Sequence, residues 1–299
     1  MGILVKLLVY YLAGSVIAGS VLGGVFATNL AGRPRRNQIE KIGKIGSYIP
    51  LKLDGIDGGL VAKPGERRPT IVYVHGRSAN RLEMVPLADV LFKAGYNAVL
   101  WDGNSRQISY GPKEIDQISR IVSTIRNDPH VDADRIYVIG FSLGGAMAIG
   151  AAAVDTNRYI RGIVADSPYA NLKDVASHYL RGFGKLPTPV VYPLRTVTLA
   201  AAGAIHGIEF DSRNPADWAE RVTCPVLLIH GTSDRSVPAN QSSLILERLR
   251  SPKELWLLNN IGHTKAFRSN PDEYVRRVHQ FLSSKNLSAR VTDRVAPLS

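Results

Sequence analysis

A chain of 299 residues with 45% hydrophobic residues can bury one large core, which excludes a small domain that depends on disulfides or metals for stability. Its one cysteine, Cys224, precludes an intramolecular disulfide, and we expect it to be a small core residue rather than a reactive thiol. The formal net charge of +12 would suit nucleic-acid binding, but no interleaved aromatic residues and no nucleic-acid module accompany the basic residues.

The first 32 residues are almost wholly apolar and predict a membrane anchor. From Leu7 to Leu30 the chain carries no charged residue, which is enough to cross the hydrocarbon core of a bilayer. A cleaved signal peptide is the alternative, but its apolar region should be shorter and no convincing cleavage site follows. We therefore expect residues 1–32 to form an uncleaved, single-pass transmembrane helix.

Residues 33–47 form a basic linker in which Glu40 is the one acidic residue. Its basic residues are Arg33, Arg35, Arg36, Lys41 and Lys44. Because they outnumber the positive charges before the helix, the positive-inside rule predicts that the remainder of the chain lies on the cytoplasmic side of the membrane. We expect this basic collar to contact anionic lipid.

After the linker, the chain opens with a predicted hairpin. Tyr48–Leu53 and Leu60–Lys63 are the two strand-like segments, and the turn signals between them are Asp54-Gly55 and Gly58-Gly59.

Strand-like and helix-like segments then alternate through a predicted domain over 48–284, followed by a C-terminal tail over 285–299. The predicted strands are Thr70–Val74, Asn97–Trp101, Ile136–Ile139, Ile160–Ala165, Pro225–Ile229 and Leu255–Leu258. The predicted helices are Arg81–Ala94, one opening at Pro112, Leu143–Ala153, one after Pro238, and one through Tyr274 and Phe281. This alternation predicts an α/β fold with a mostly parallel, doubly wound sheet.

A long insertion interrupts the alternation between the strands that end near Ala165 and begin near Pro225. It is too long for a connection inside a compact core, and it contains the helix-like Leu172–Arg181, a stretch rich in proline and glycine, and the apolar Val197–Ile205. We expect a small, mainly helical cap over about 170–215. The alternative is that only the second half of the insertion leaves the core.

The sequence Gly140-Phe141-Ser142-Leu143-Gly144 is a G-x-S-x-G motif between a predicted strand and a predicted helix. In that context the motif forms a tight turn, which exposes a nucleophilic serine at the edge of the sheet. The glycines are needed because the turn brings the strand and the helix too close for side chains. We therefore expect Ser142 to be the nucleophile.

A serine nucleophile needs a general base and an acid that orients the base. In this fold they follow the serine in the order acid, then histidine. Asp234 lies just beyond the strand at Pro225–Ile229, and His263 lies just beyond the next strand. These two residues are the predicted acid and base. Asp166 follows another strand end and is the alternative acid.

Two backbone N–H groups should stabilise the oxyanion that forms during acyl transfer. Leu143, directly after the nucleophile, is one predicted donor, and Arg77, in the loop after Thr70–Val74, is the other. We interpret His75 and His230 as structural loop residues, and we expect Asp102 to brace a loop.

From about Tyr48 to Leu282 the chain resembles the α/β-hydrolase superfamily. The resemblance rests on His75-Gly76, the Gly-Phe-Ser-Leu-Gly-Gly of 140–145, the His-Gly-Thr-Ser-Asp of 230–234, and Gly262-His263. Within the superfamily, the chain is most similar to single-span, membrane-anchored serine hydrolases, including those that act on lipids and acylated proteins. The resemblance implies a Ser142–His263–Asp234 triad that needs no metal and no cofactor. The loop from Asp102 to Ser109 lacks the glycine-rich pattern of many relatives, so the substrate pocket should differ.

Together these features predict a serine hydrolase that cleaves a carboxylic ester or thioester through an acyl-enzyme on Ser142. The anchor and collar suggest an apolar, lipid-like acyl substrate near a membrane. A serine peptidase or aminopeptidase of the same fold is the nearest alternative, although no extra domain and no acidic pair are evident to select peptides. An inactive, membrane-tethered binding module is the alternative from another class, and it would predict a broken triad or elbow.

Overall fold

The computed structural model describes residues 42–77, 79–103, 108–181, 199–200, 203–204 and 208–284. The predicted anchor over 1–32, most of the predicted linker, the predicted tail over 285–299, and residues 104–107 of the loop after Asp102 lie outside these ranges. Among the described residues, no helix combines the length and the apolar character needed to cross a bilayer.

Eight strands form one sheet in the order β1-β2-β4-β3-β5-β6-β7-β8. β1 pairs antiparallel with β2, and β2 with β4, whereas all the other pairings are parallel. The strands are β1 Ser47–Pro50, β2 Ile56–Ala62, β3 Arg68–Val74, β4 Asn97–Gly103, β5 Val131–Phe141, β6 Ile160–Asp166, β7 Val226–Gly231 and β8 Lys253–Leu258. The prediction of a mostly parallel α/β sheet is confirmed.

The helices occupy the connections between the strands. A 3₁₀ turn at Arg81–Met84 precedes α1, and the α-helices are α1 Val85–Lys93, α2 Pro112–Ile125, α3 Leu143–Val154, α4 Leu172–Arg181, α5 Pro215–Ala219, α6 Asn240–Arg248, α7 Ala266–Ser269 and α8 Pro271–Ser283. Amphipathic helices such as α2 turn an apolar face to the sheet, and in α2 this face includes Ile118, Ile121 and Val122.

The predicted hairpin is present, but one of its predicted turns is wrong. The chain turns between Pro50 and Ile56, whereas Gly58 and Gly59 lie inside β2. Pro50 pairs with Gly59, and Gly58 pairs with Trp101. Both glycines are needed for packing, since a side chain at Gly58 would collide with Trp101 of β4 and one at Gly59 with the ring of Tyr48. Close packing across the strands, not a turn, therefore accounts for this glycine pair.

The middle of the core is the contact between α3 and strands β5 and β6. α3 is built from Ala, Gly, Met and Ile and is buried on all sides from Leu143 to Ala152. Small residues let this helix approach the sheet closely and still pack beneath α2, where Ile115 lies against Gly150. This packing fixes the start of α3, which lies directly after Ser142.

The insertion leaves and re-enters the sheet domain at one place. The N–H of Ala216 donates to the carbonyl of Ala170 at 3.1 Å, and this bond joins the two ends of the excursion. Residues 171–214 group into a separate compact unit. Its described parts include α4 and an ion pair of 2.6 Å between Lys173 and Asp211.

Candidate active site

Ser142 lies on a strained turn between β5 and α3. Its φ of 54° falls in the left-handed region that residues other than glycine seldom adopt. The turn is possible only because its neighbours lack side chains. A Cβ at Gly140 would collide with the carbonyl of Gly144, and a Cβ at Gly144 would collide with the carbonyl of Val74. The backbone therefore places the Ser142 side chain at the carboxyl edge of the parallel strands.

The loop after β8 brings His263 to this serine. The Nε2 atom of His263 lies 2.9 Å from Oγ of Ser142, although 121 positions separate the two residues in the chain. The His263 side chain is 24% exposed, so the ring is reachable from solvent.

The turn after β7 brings Asp234 to the other side of the same ring. Nδ1 of His263 lies 2.6 Å from Oδ2 of Asp234. The second carboxylate oxygen, Oδ1, accepts backbone N–H bonds from Ser236 at 2.8 Å and Val237 at 2.9 Å. The structure thus joins Ser142, His263 and Asp234 in one continuous series of hydrogen bonds.

The environment of Asp234 keeps its carboxyl group ionised. Burial opposes ionisation, but hydrogen bonds from His230 and His263, the positive charge on His263 and the N–H of Val237 outweigh it, so the pKa of Asp234 is lowered well below its usual value. A carboxylate only accepts hydrogen bonds, so Nδ1 of His263 must carry the proton that it donates. When the ring is neutral, Nε2 is therefore free to accept the proton of Ser142.

The alternative acid, Asp166, lies near the site but does not bond to the histidine. Its side chain is fully buried, and Oδ1 accepts a hydrogen bond of 2.8 Å from the hydroxyl of Ser167. Burial raises the pKa of Asp166 to about 6, against the opposing effects of Ser167, His230, Tyr274 and His263. The structure brings Asp234, not Asp166, to Nδ1 of His263.

Ser167 connects Asp166 to the histidine loop. The N–H of Thr264, the residue after His263, donates to Oγ of Ser167 at 3.2 Å. Ser167 and Thr264 also have positive φ angles, 54° and 52°. Residues held in this region cost roughly 1 kcal/mol or more each. The hydrogen bond between them helps hold both turns in place.

The loop after β3 lies against the elbow. A side-chain carbon at Gly76 would be 3.5 Å from Cβ of Ser142, so this loop passes beside the serine with Arg77 as its next residue. His75 braces the loop. Its Nδ1 lies 2.8 Å from the carbonyl oxygen of Gly76, and its Nε2 lies 3.2 Å from Asp102. Asp102 also accepts the backbone N–H of the buried Arg81 at 2.8 Å.

Sequence reasoning missed His230. It was expected to be a structural loop residue, but it lies inside β7 with its side chain fully buried, and its Nε2 is 3.3 Å from Oδ2 of Asp234. The available signal was its position at the end of a strand, four residues before the predicted acid. The prediction was wrong because local pattern does not show that the chain after β7 folds back over this ring.

A family model for the prolyl oligopeptidase family matches residues 104–286, which are more than half of the chain. The chain belongs to the prolyl oligopeptidase family. The matched segment contains Ser142, Asp234 and His263, while the antiparallel hairpin and the loop carrying Arg77 precede it.

Comparisons over longer stretches agree with this family and this fold. The uncharacterized protein YqkD of Bacillus subtilis is 24% identical over 253 residues, which cover 83% of this chain and 82% of YqkD. The Pyrococcus furiosus esterase Pf2001 superposes with a TM-score of 0.64 at 23% identity, covering 85% of this chain and 96% of that one. The Pyrococcus horikoshii acylaminoacyl peptidase gives 0.55 at 19% identity, covering 77% and 39%. These likenesses confirm the α/β-hydrolase fold and make this member of the prolyl oligopeptidase family a hydrolase of that fold.

Metal ligands are not grouped in the described part of the chain. Across those residues, no cluster of three or more His, Cys, Asp or Glu side chains could hold a metal ion. Cys224 is buried, and burial raises the pKa of its thiol to about 12. The polar groups that converge on Ser142 are instead suited to moving a proton and to stabilising charge.

Proposed function

We propose that this protein is a serine hydrolase that cleaves carboxylic esters or thioesters through an acyl-enzyme on Ser142. The observation that carries the proposal is the series of hydrogen bonds from Oγ of Ser142 to Nε2 of His263, at 2.9 Å, and from Nδ1 of His263 to Asp234, at 2.6 Å. A hydroxyl becomes a useful nucleophile when a neighbouring base removes its proton and a third group orients that base.

In the first half of the reaction, Nε2 of His263 takes the hydroxyl proton as Oγ of Ser142 attacks the carbonyl carbon of the substrate. The ring then carries a positive charge, which the ionised Asp234 stabilises. When the tetrahedral intermediate collapses, Nε2 returns the proton to the departing alcohol or thiol. The acyl group remains on Ser142 as an ester.

In the second half, His263 removes a proton from a water molecule, which attacks the acyl-enzyme carbonyl. Collapse of this second intermediate releases the carboxylic acid, and the proton returns to Oγ of Ser142. The two half-reactions need the same contacts, so one arrangement serves both.

Two backbone N–H groups are proposed to stabilise the oxyanion. Leu143 is the first residue of α3, so its N–H has no acceptor within the helix, and the helix dipole at this end favours negative charge. Arg77 follows Gly76, which passes beside Ser142. Both donors are backbone groups, so their positions depend on the elbow and the loop after β3 rather than on side-chain identity.

We also propose that the substrate has an apolar acyl chain and is reached from a membrane surface. The support is in the sequence alone, where an uncharged stretch from Leu7 to Leu30 precedes a cluster of basic residues. Protease protection of the catalytic domain in sealed vesicles tests this placement. A catalytic domain on the cytoplasmic side should be digested from that side alone.

Peptide hydrolysis is the second candidate function. The specific observation that favours it is the match to the prolyl oligopeptidase family over residues 104–286. The same triad chemistry cleaves amides, with an amine as leaving group. An assay panel distinguishes the two candidates: p-nitrophenyl esters of increasing acyl length, an acyl thioester and an aminoacyl amide. Faster turnover of the amide than of every ester would favour the peptidase.

A fluorophosphonate probe tests the nucleophile directly. Wild type should be labelled, and Ser142→Ala should not. Ser233→Ala is the matched control, because it removes an exposed hydroxyl from the turn that carries Asp234 and should leave labelling intact. Labelling that persists in Ser142→Ala would overturn the proposed nucleophile. An absence of labelling in the folded wild type would favour the inactive binding module.

A further inference from the structure

His230 is fully buried beside Asp234, and both of its ring nitrogens are in contact with polar atoms. Nδ1 lies 2.6 Å from Oγ of Ser242, and Nε2 lies 2.9 Å from the carbonyl oxygen of Val237. Nε2 is also 3.3 Å from Oδ2 of Asp234, the same oxygen that receives Nδ1 of His263. A ring that serves only to fill space would not need this set of partners.

The partners determine where the proton lies on His230. A carbonyl oxygen accepts hydrogen bonds and cannot donate them, so Nε2 must carry a hydrogen that it gives to Val237. The carboxylate of Asp234, also an acceptor, is on the same side of the ring. The hydroxyl of Ser242 can donate to Nδ1, which leaves the neutral ring fully satisfied. His230 is therefore oriented as a donor toward the turn that carries Asp234.

The same turn is held from two directions. Val237 donates its N–H to Oδ1 of Asp234 at 2.9 Å, while its carbonyl accepts from His230. Since Val237 belongs to both bonds, His230 fixes the backbone that holds one carboxylate oxygen and lies close to the other oxygen directly. Rotation of the carboxylate away from His263 would break the first of these contacts and lengthen the second.

We infer that His230 is a positioning residue for the reaction, which holds the carboxylate of Asp234 in line with Nδ1 of His263. The inference rests on the proposed function and adds a residue to the groups that it uses. His230 does not touch the reacting atoms and acts through Asp234. It should therefore influence the rate of the chemical step and leave substrate binding nearly unchanged.

Two amide substitutions separate positioning from simple occupancy of the space. Gln can place its side-chain NH₂ near the position of Nε2, whereas the shorter Asn reaches only the region of Nδ1. We expect His230→Asn to lower kcat for a p-nitrophenyl ester by about 10- to 100-fold, with KM within about twofold of wild type. His230→Gln should recover kcat to within about threefold of wild type. Thermal unfolding of both variants shows whether each is folded at the assay temperature.

Three results would overturn the inference. Equal losses of kcat in the Asn and Gln variants would mean that the donor at Nε2 has no special role, and wild-type kcat in the Asn variant would mean that the ring does not act on the reaction. If Ser142→Ala retained full turnover, the proposed function would fail and the inference with it. In the first two cases Ser142→Ala would still be inactive, so the proposed function would stand.

A measurement on the wild-type protein avoids any dependence on variant folding. In full-length protein labelled with ¹⁵N at histidine, the His230 ring is identified by its contacts with Val237 and Ser242. The inference requires a hydrogen on Nε2 of His230 at the pH of the activity assay. A ring protonated at Nδ1 alone could not donate to Val237 or Asp234, and that result would overturn it.

Discussion

The backbone N–H of Ser142 donates a hydrogen bond of 2.8 Å to the backbone carbonyl of Asp166. The main chain of Asp166 thus supports the elbow, while its carboxyl group faces Ser167 rather than His263. Two buried aspartates therefore lie close to the serine in different environments. Asp234 is ionised and bonded to the histidine, and Asp166 supports the turns around it.

Substitution of the two aspartates should separate these roles. Asp234→Asn removes the charge that stabilises the imidazolium and allows the wrong tautomer of His263, so kcat/KM for a p-nitrophenyl ester should fall by about 10³- to 10⁴-fold. Asp166→Asn keeps the shape of the side chain and should leave kcat/KM within about threefold of wild type at pH 7. Steady-state kinetics of both variants checks this prediction. A greater loss in Asp166→Asn would make Asp166 the acid.

Asp166 should also make stability depend on pH. Burial raises its pKa in the folded protein from 3.8 to about 6, so the unfolded chain ionises first as the pH rises. The stabilisation from the protonated form is complete below about pH 4 and is lost as the pH increases through about 6. A shift of this size corresponds to about 3 kcal/mol. Asp166→Asn cannot ionise and should not lose it.

The measurement is urea unfolding of wild type and Asp166→Asn at several pH values from 4.5 to 8. The stability of the Asn variant relative to wild type should rise by about 2 to 3 kcal/mol up to about pH 7 and then level off. A difference that stayed constant with pH, or one that fell as the pH rose, would contradict the assignment of a buried, protonated Asp166.

Gly144 should tolerate no side chain. A Cβ at this position would collide with the carbonyls of Val74 and His75, which are backbone atoms of β3 and its loop and cannot rotate away. Gly144→Ala should therefore lower the free energy of unfolding by about 3 kcal/mol or more, or prevent folding. Gly43→Ala is the matched control, since a Cβ there meets no atom within 4 Å. Its effect in urea unfolding should stay within about 0.5 kcal/mol.

Cys224 should be unreactive in the folded protein. It is buried, and burial raises the pKa of its thiol to about 12, so little thiolate forms at neutral pH. Ellman's reagent should react with it only as the protein unfolds, and treatment with iodoacetamide should leave ester turnover unchanged. Since the chain has one cysteine, the measured thiol signal belongs to this residue. Rapid loss of turnover on alkylation of native protein would contradict the proposed serine mechanism.

Much of the fold could be predicted because its signals are local. Strand-length apolar runs followed by helical spacing predict parallel strands with crossover helices, and α4 begins and ends at Leu172 and Arg181 as predicted. The turn at Gly58-Gly59 was wrong because glycine marks both turns and close contacts. Only the pairing of β2 with its neighbours shows that these two glycines face Tyr48 and Trp101.

The sequence by itself determined the chemistry available to this protein, because a glycine-flanked serine, an aspartate and a histidine follow strand ends in the order that an α/β sheet requires. It could not decide between Asp166 and Asp234 or show what His230 does. Those answers depend on which side chains meet across 121 positions of the chain and on how the turn after β7 closes. Only the tertiary structure sets such distances, because strand order and loop path, not sequence spacing, bring the groups within hydrogen-bonding reach.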